Sequence, residues 1–279
     1  MSSSQIALLG AIAGVTIFLG LPLGRMHAPA PRVKAFLGGT AIGILLFLLW
    51  DVLTHAWDPA ASALSHHHYA TAVADGTVML ACAGLGLLGL VYFDRWIAYR
   101  ARSARPEGPG AATARPTVLP AGTEAARARA LQLSMLIAVG IGMHNFGEGL
   151  AIGTSAAAGQ LSLALLLVIG FGAHNATEGF GIVAPLAAAQ ERPSWGRLAV
   201  LGLIGGGPTF LGTIIGEQVT NPLLSVAFLA LAAGSILYVV IELLAVARAT
   251  RLKVVITWAI LSGLVLGFVT DAIVTAAGA

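Results

Sequence analysis

His144-Asn145-Phe146-Gly147-Glu148-Gly149 recurs thirty residues later as His174-Asn175-Ala176-Thr177-Glu178-Gly179, and each copy is set in a long apolar run. On an α-helix, positions i and i+4 share a face one turn apart. His144 therefore stands over Glu148, and His174 over Glu178. The flanks Met135–Gly153 and Leu161–Leu186 contain no Lys or Arg and are long enough to cross the hydrocarbon core of a bilayer. A carboxylate near mid-membrane costs roughly 2.5–3.5 kcal/mol, so two cost about twice that. A bound cation is the simplest compensation.

The same conclusion about class follows from the whole chain. Its 279 residues are 57% hydrophobic and only 10% charged, with a mean hydropathy of +0.88, whereas a soluble domain carries about 25% charged residues. The expected fold class is all-α, a polytopic membrane protein whose residues 1–279 form a single transmembrane domain in the lipid bilayer. The lone cysteine, Cys82, excludes an internal disulfide and a cysteine-based metal cluster. A net charge of +3 and a pI near 9.4 bring no aromatic-basic face with them, so nucleic acid is not an expected partner. The basic excess reads as a topology signal.

Taken in order, span 1 covers about Gln5–Leu23 and span 2 about Ala35–Trp57, with Asp51 and His55 near its far end. A loop holding Asp58 and His66-His67-His68 leads to span 3, about Ala70–Phe93, with Asp75 near its start. Asp94–Arg129 holds seven arginines and a Pro/Gly/Ala-rich segment, a composition that cannot bury a core; it reads as a flexible cytoplasmic loop. Spans 4 (about Ala130–Thr154) and 5 (about Leu161–Ala188) carry the twin motifs and are joined by a short turn around Ala158-Gly159-Gln160. Span 6, about Leu198–Gln218, is expected to break at Gly205-Gly206-Gly207-Pro208. Span 7, about Leu223–Ala247, carries Glu242, and span 8, about Val254–Ala276, carries Asp271. Asp75 and Asp271 are expected to be solvated near the outer surface.

An eight-helix bundle with both termini outside puts three, seven, two and three Lys and Arg into the four inner loops, all fifteen in the chain. That is the positive-inside pattern in full. Trp50-Asp51-Val52-Leu53 and Ile241-Glu242-Leu243-Leu244 each place an acid before two apolar residues on spans of opposite direction, as the twin motifs also do. This gives the bundle an inverted-repeat character of the kind transporters use around midplane sites.

Two imidazoles and two carboxylates suit Zn²⁺, and also Fe²⁺ or Mn²⁺. Asn145 and Asn175 are turned about 100° from their histidines, so they reach such a cluster only from its edge. Glycines around both motifs allow close helix approach. Asp51 and His55 share one helix face as a candidate step on the ion path, Glu242 is a candidate pathway or proton-accepting residue, and the His66–His68 run is of the kind that binds metal loosely.

His-Asn-x-x-Glu-Gly in span 4 and His-x-x-x-Glu-Gly in span 5 resemble the metal-binding signatures of the ZIP (Zrt/Irt-like) divalent metal transporters. The eight spans, outward termini and long inner loop after span 3 are similar too, so the resemblance covers essentially the whole chain. It implies transport of divalent transition-metal cations into the cytoplasm across the cell membrane, zinc foremost, with iron, manganese and cadmium as further substrates. It also implies a non-enzyme without a cofactor, in a family where homodimers occur. Carried over, His144, Asn145, Glu148, His174 and Glu178 line the metal site. Asp51-Val52-Leu53 and Ile241-Glu242-Leu243-Leu244 resemble the polar ends of the family's second and seventh helices. Many members have further carboxylates where this chain has Asn175 and Thr209, so one strong site is expected rather than a binuclear centre.

The alternative is an intramembrane metal-dependent hydrolase, but the His-Glu-x-x-His pattern is absent and no nucleophile or base stands ready. A passive metal sensor leaves ligands at mid-bilayer on Gly-rich helices unexplained. No Gly-rich phosphate loop points to an ATP-driven pump.

Overall fold

The computed structural model describes residues 2–25, 31–103, 124–157, 161–218 and 221–276. The side chains of some residues within these helices, His174 among them, lie outside that description. The elements are α1 (Ser3–Val15), α2 (Ile17–Gly20), a 3-10 turn (Leu21–Arg25), α3 (Pro31–Ser65), α4 (Tyr69–Ser103), α5 (Glu124–Ala157), α6 (Leu161–Ala188), α7 (Trp195–Gly216), α8 (Pro222–Ala249) and α9 (Lys253–Ala276). Among the described residues there is no strand. Among the described residues, seven stretches are long and apolar enough to cross a membrane: Ser3–Arg25, Ala35–Ser65, Tyr69–Trp96, Glu124–Ala157, Trp195–Gly216, Leu223–Ala249 and Lys253–Ala272. Helix α6 adds 28 residues, many with side chains outside the described set.

Local chemistry sets the helix ends. Ser194 accepts a hydrogen bond from the Arg197 backbone N–H to start α7, and Asn221 accepts from the Leu223 N–H beside Pro222 to start α8, both N-cap arrangements. Helices α3 and α6 end in the same left-handed turn. His67 (φ 61°) and Gln190 (φ 58°) follow the last helical turns, while His68 N–H bonds Ala63 O and Glu191 N–H bonds Leu186 O. This is the six-to-one closure of a Schellman motif.

Several expectations are corrected. Helix α3 runs to Ser65 with Pro59 inside it, so Asp58 is helical and the turn to α4 is His66–His68 alone. A proline removes one N–H donor, and a long apolar helix packed on its neighbours tolerates that loss. Helix α7 is likewise continuous through Gly205–Pro208. These glycines make close contacts, not a break. The loop between spans 3 and 4 is shorter than expected, because residues 94–103 complete α4 and 124–129 begin α5; residues 104–123 lie outside the described residues, as do 158–160. Span 1 divides at Thr16 into α1, α2 and the 3-10 turn. Asp75 is buried, 9% exposed, rather than solvated: α3, which continues well past its expected end at Trp57, packs against α4.

Helix α5 is the centre of the bundle, touching α1, α6, α7 and α8, and most of its residues from Leu133 to Ala156 are buried. Seams of glycine hold the helices together. A methyl group on Gly149 would overlap Thr209 O of α7, and one on Gly212 would overlap Phe146 O of α5. The same reciprocal contact joins α6 to α2 through Gly179 and Gly20, α1 to α7 through Gly14 and Gly206, α3 to α9 through Gly43 and Gly263, and α4 to α8 through Gly86 and Gly234. Without water to drive apolar association, such close backbone approach is what binds helices in lipid.

One end of the bundle collects the arginines. Arg25 donates to Pro193 O with its guanidinium 4.6 Å from the centre of the Trp195 ring, a cation–π distance. Arg127 meets Glu191 at 3.0 Å, tying the start of α5 to the end of α6. At the opposite end Ser3 donates to Glu217, 2.6 Å away, and joins the start of α1 to the end of α7.

Candidate metal centre

Helix α5 turns a different set of residues to each neighbour. Gly142, Asn145, Gly149 and Gly153 face α7, and Gly140 and Gly147 face α8. The remaining face, 144 and 148, falls to α6 by helical geometry. There, His144 Nε2 lies 2.9 Å from Glu148 Oε1 and 4.0 Å from Glu178 Oε1 of α6. The three side chains are 2%, 4% and 0% exposed. An acid from each of two antiparallel helices thus approaches one ring nitrogen in the interior.

His174 occupies α6 one turn before Glu178; its side chain lies outside the described residues. Among the described residues, no group of three or more His, Cys, Asp or Glu side chains is arranged to hold a metal ion. Of the set read from the sequence, His144, Asn145, Glu148 and Glu178 are described, and the donors of the His and the two Glu, one borderline nitrogen and carboxylate oxygens, are of the type divalent transition metals take.

The two asparagines behave alike and differently from the histidines. Asn145 Nδ2 donates to Gly205 O of α7 at 2.9 Å, and Asn175 Nδ2 donates to Ala13 O of α1 at 3.1 Å. One turn after each asparagine comes a glycine that packs one turn further along the partner: Gly149 on Thr209 O, Gly179 on Ile17 O. The reciprocal glycines, Gly212 on Phe146 O and Gly20 on Ala176 O, complete both sets. The two sets are in the same register throughout: one constant offset in numbering carries α5 onto α6, and another carries the contacted residues of α1 and α2 onto those of α7. Neither asparagine's Oδ1 has a hydrogen-bond partner among the described residues, and the same holds for Thr209 Oγ1; all three residues are fully buried. Thr209 approaches Gly14, so it sits at the α1–α7 crossing.

The outlying candidates are elsewhere. Asp51 and His55 pair within α3, Nδ1 to Oδ1 at 3.4 Å, and the His55 side chain is 63% exposed. The His66–His68 turn is exposed, with His66 Nδ1 on Ser62 O and His67 Nδ1 beside the Tyr69 hydroxyl. Glu242 lies with Asp94, Arg129 and Tyr238 at the arginine-rich end. Sequence reasoning missed Arg129, Gln132 and Tyr238, because contacts made after the chain returns through the loop between α4 and α5 leave no periodic trace.

No protein-family model matches this chain, and no curated protein matches it.

Proposed function

We propose that the chain carries divalent transition-metal cations, zinc foremost, across a cell membrane toward the cytoplasm, in the manner of the ZIP transporters that its motifs resemble. The observation that carries this reading is the approach of Glu148 and Glu178, from two helices, to His144 in an interior of apolar side chains and glycine. Two carboxylates with neutral imidazoles balance one dication, and a cluster of this kind without its cation would be costly in lipid. In this reading α6 is an eighth span and His174 a fourth ligand. The arginine-rich end faces the cytoplasm, and both termini face outward.

The matched clamps at Asn145 and Asn175 support an inverted repeat with α5 and α6 at its centre. Gly43 precedes Asp51 on α3 by the same interval that separates Gly234 from Glu242 on α8, which extends the relation to those two helices. The cation exchanges water for the cluster on one side and leaves on the other as the halves rearrange around it. No catalytic chemistry is required, and the metal is substrate rather than cofactor. Asp51 and His55 mark the outer approach.

Uptake of Zn²⁺, Fe²⁺, Mn²⁺ and Cd²⁺ into proteoliposomes tests the proposal. Flux is expected in the parent chain and lost in Glu148→Ala and Glu178→Ala. Unchanged flux in those variants would overturn it.

A further inference from the structure

Helix α4 is longer than the bilayer needs. Its 35 residues extend about 52 Å at the helical rise, against a hydrocarbon core of about 30 Å. The apolar stretch ends at Trp96 while the helix continues to Ser103, so its last two turns lie past that stretch, at the arginine-rich end of the bundle.

This end of α4 has two faces. One looks into the bundle: Leu90 is buried, and one turn on, Asp94 accepts from Arg129 at 2.9 Å and from Gln132 at 2.7 Å. Tyr92, Arg95, Trp96 and Tyr99 fall on the opposite side, at the i, i+3, i+4 and i+7 spacing of a single helical face, and all four are exposed. The acid next to Arg95 in the chain is therefore turned away from it and engaged elsewhere. Phe93 stacks on Trp96 with ring centres 5.8 Å apart, which widens the aromatic surface. Tyr and Trp gather where a bilayer passes from hydrocarbon to headgroups, and here they surround an arginine.

We infer that the face formed by Tyr92, Arg95, Trp96 and Tyr99 binds anionic phospholipid, with the Arg95 guanidinium on the headgroup phosphate and the rings against the glycerol and the upper acyl chains. A guanidinium stays charged and grips two phosphate oxygens at once. In a zwitterionic lipid the headgroup's own ammonium offsets that phosphate, whereas an anionic lipid leaves its charge to the protein. The occupant is a lipid rather than a soluble phosphate because the cation is set among rings that need an apolar partner, which acyl chains supply and a free anion lacks. The inference needs the bilayer but not the metal, so it stands or falls apart from the transport reading.

Trp96 is itself the reporter. With Trp50, Trp57, Trp195 and Trp258 replaced by Phe, the full-length chain is placed in vesicles of mixed phosphatidylcholine and phosphatidylglycerol, with one or the other lipid brominated to quench nearby indole emission. At equal mole fraction brominated phosphatidylglycerol should quench Trp96 more than brominated phosphatidylcholine does. Arg95→Gln should lower the relative association of the anionic lipid by about fivefold, the contribution of one arginine near an anionic surface, and Arg95→Lys should keep most of it. Arg251→Gln removes the same charge at the same end, in a turn with no aromatic residue within four positions, and should change the preference little. Should the single-tryptophan chain not fold, the difference in emission between the parent and Trp96→Phe reads the same quenching. Equal quenching by the two lipids, an equal loss in Arg95→Gln and Arg251→Gln, or a preference that added inorganic phosphate abolishes overturns the inference.

Discussion

His144 Nε2 lies 4.0 Å from the Glu178 carboxylate across the contact between α5 and α6. Bridging that distance with a metal uses both groups as ligands, and removing one charge while keeping its shape isolates the electrostatic part. Glu178→Gln should weaken Zn²⁺ binding by about 100-fold, equivalent to about 2.7 kcal/mol. Competition against a chromophoric chelator measures it.

Protons and the cation compete for the same imidazole and carboxylates. Apparent affinity should therefore fall as the pH is lowered, by about tenfold per pH unit for each proton displaced. Titration calorimetry in buffers of different ionisation enthalpy counts the protons released. Binding that is indifferent to pH would argue against His144 and the two acids as ligands.

The asparagine clamps predict a separation of roles. Asn145→Ala and Asn175→Ala each remove one buried hydrogen bond to a neighbouring helix and should destabilise the protein by about 1 kcal/mol. Their effect on Zn²⁺ affinity should be well below that of Glu178→Gln. Thermal unfolding in detergent and the chelator competition, run on the same samples, separate the two effects.

Glycines at the seams and on the open face of α4 should respond in opposite ways. A methyl at Gly206 meets the Gly14 carbonyl, which is backbone and cannot rotate aside, whereas nothing lies within 4 Å of a methyl at Gly84 or Gly89. Gly206→Ala should lower stability by about 1–3 kcal/mol. Gly84→Ala should be neutral or stabilise slightly, because alanine is the better helix former. Melting temperatures of the two variants test the contrast.

What the sequence made legible follows from what helical periodicity encodes. The pairing of His144 with Glu148 is a property of one helix and needs no neighbour, and the apolar flanks announce the long helices. The destination of Asn145 was not legible. Its offset from His144 around the helix placed it at the edge of a metal cluster in the sequence reading, and only the packing of α7 against Gly142 and Gly149 decides that its Nδ2 bonds Gly205 O. Gly205–Pro208 read as a break because proline breaks helices in water, yet α7 passes through it, as α3 passes through Pro59. Asp75 read as solvated because its position on α4 was visible and the overhang of α3 was not. The ion pair of Asp94 with Arg129 depends on how the chain returns after residues 104–123, which no local pattern records.

The central claim is that helices α5 and α6 hold one dication between them. Crystals grown or soaked with Zn²⁺, measured above and below the zinc absorption edge, place the metal directly. One strong anomalous peak is expected about 2.0–2.2 Å from His144 Nε2 and from oxygens of Glu148 and Glu178. A zinc-loaded crystal with no peak there, or with these side chains turned away from a metal bound elsewhere in the bundle, would contradict it.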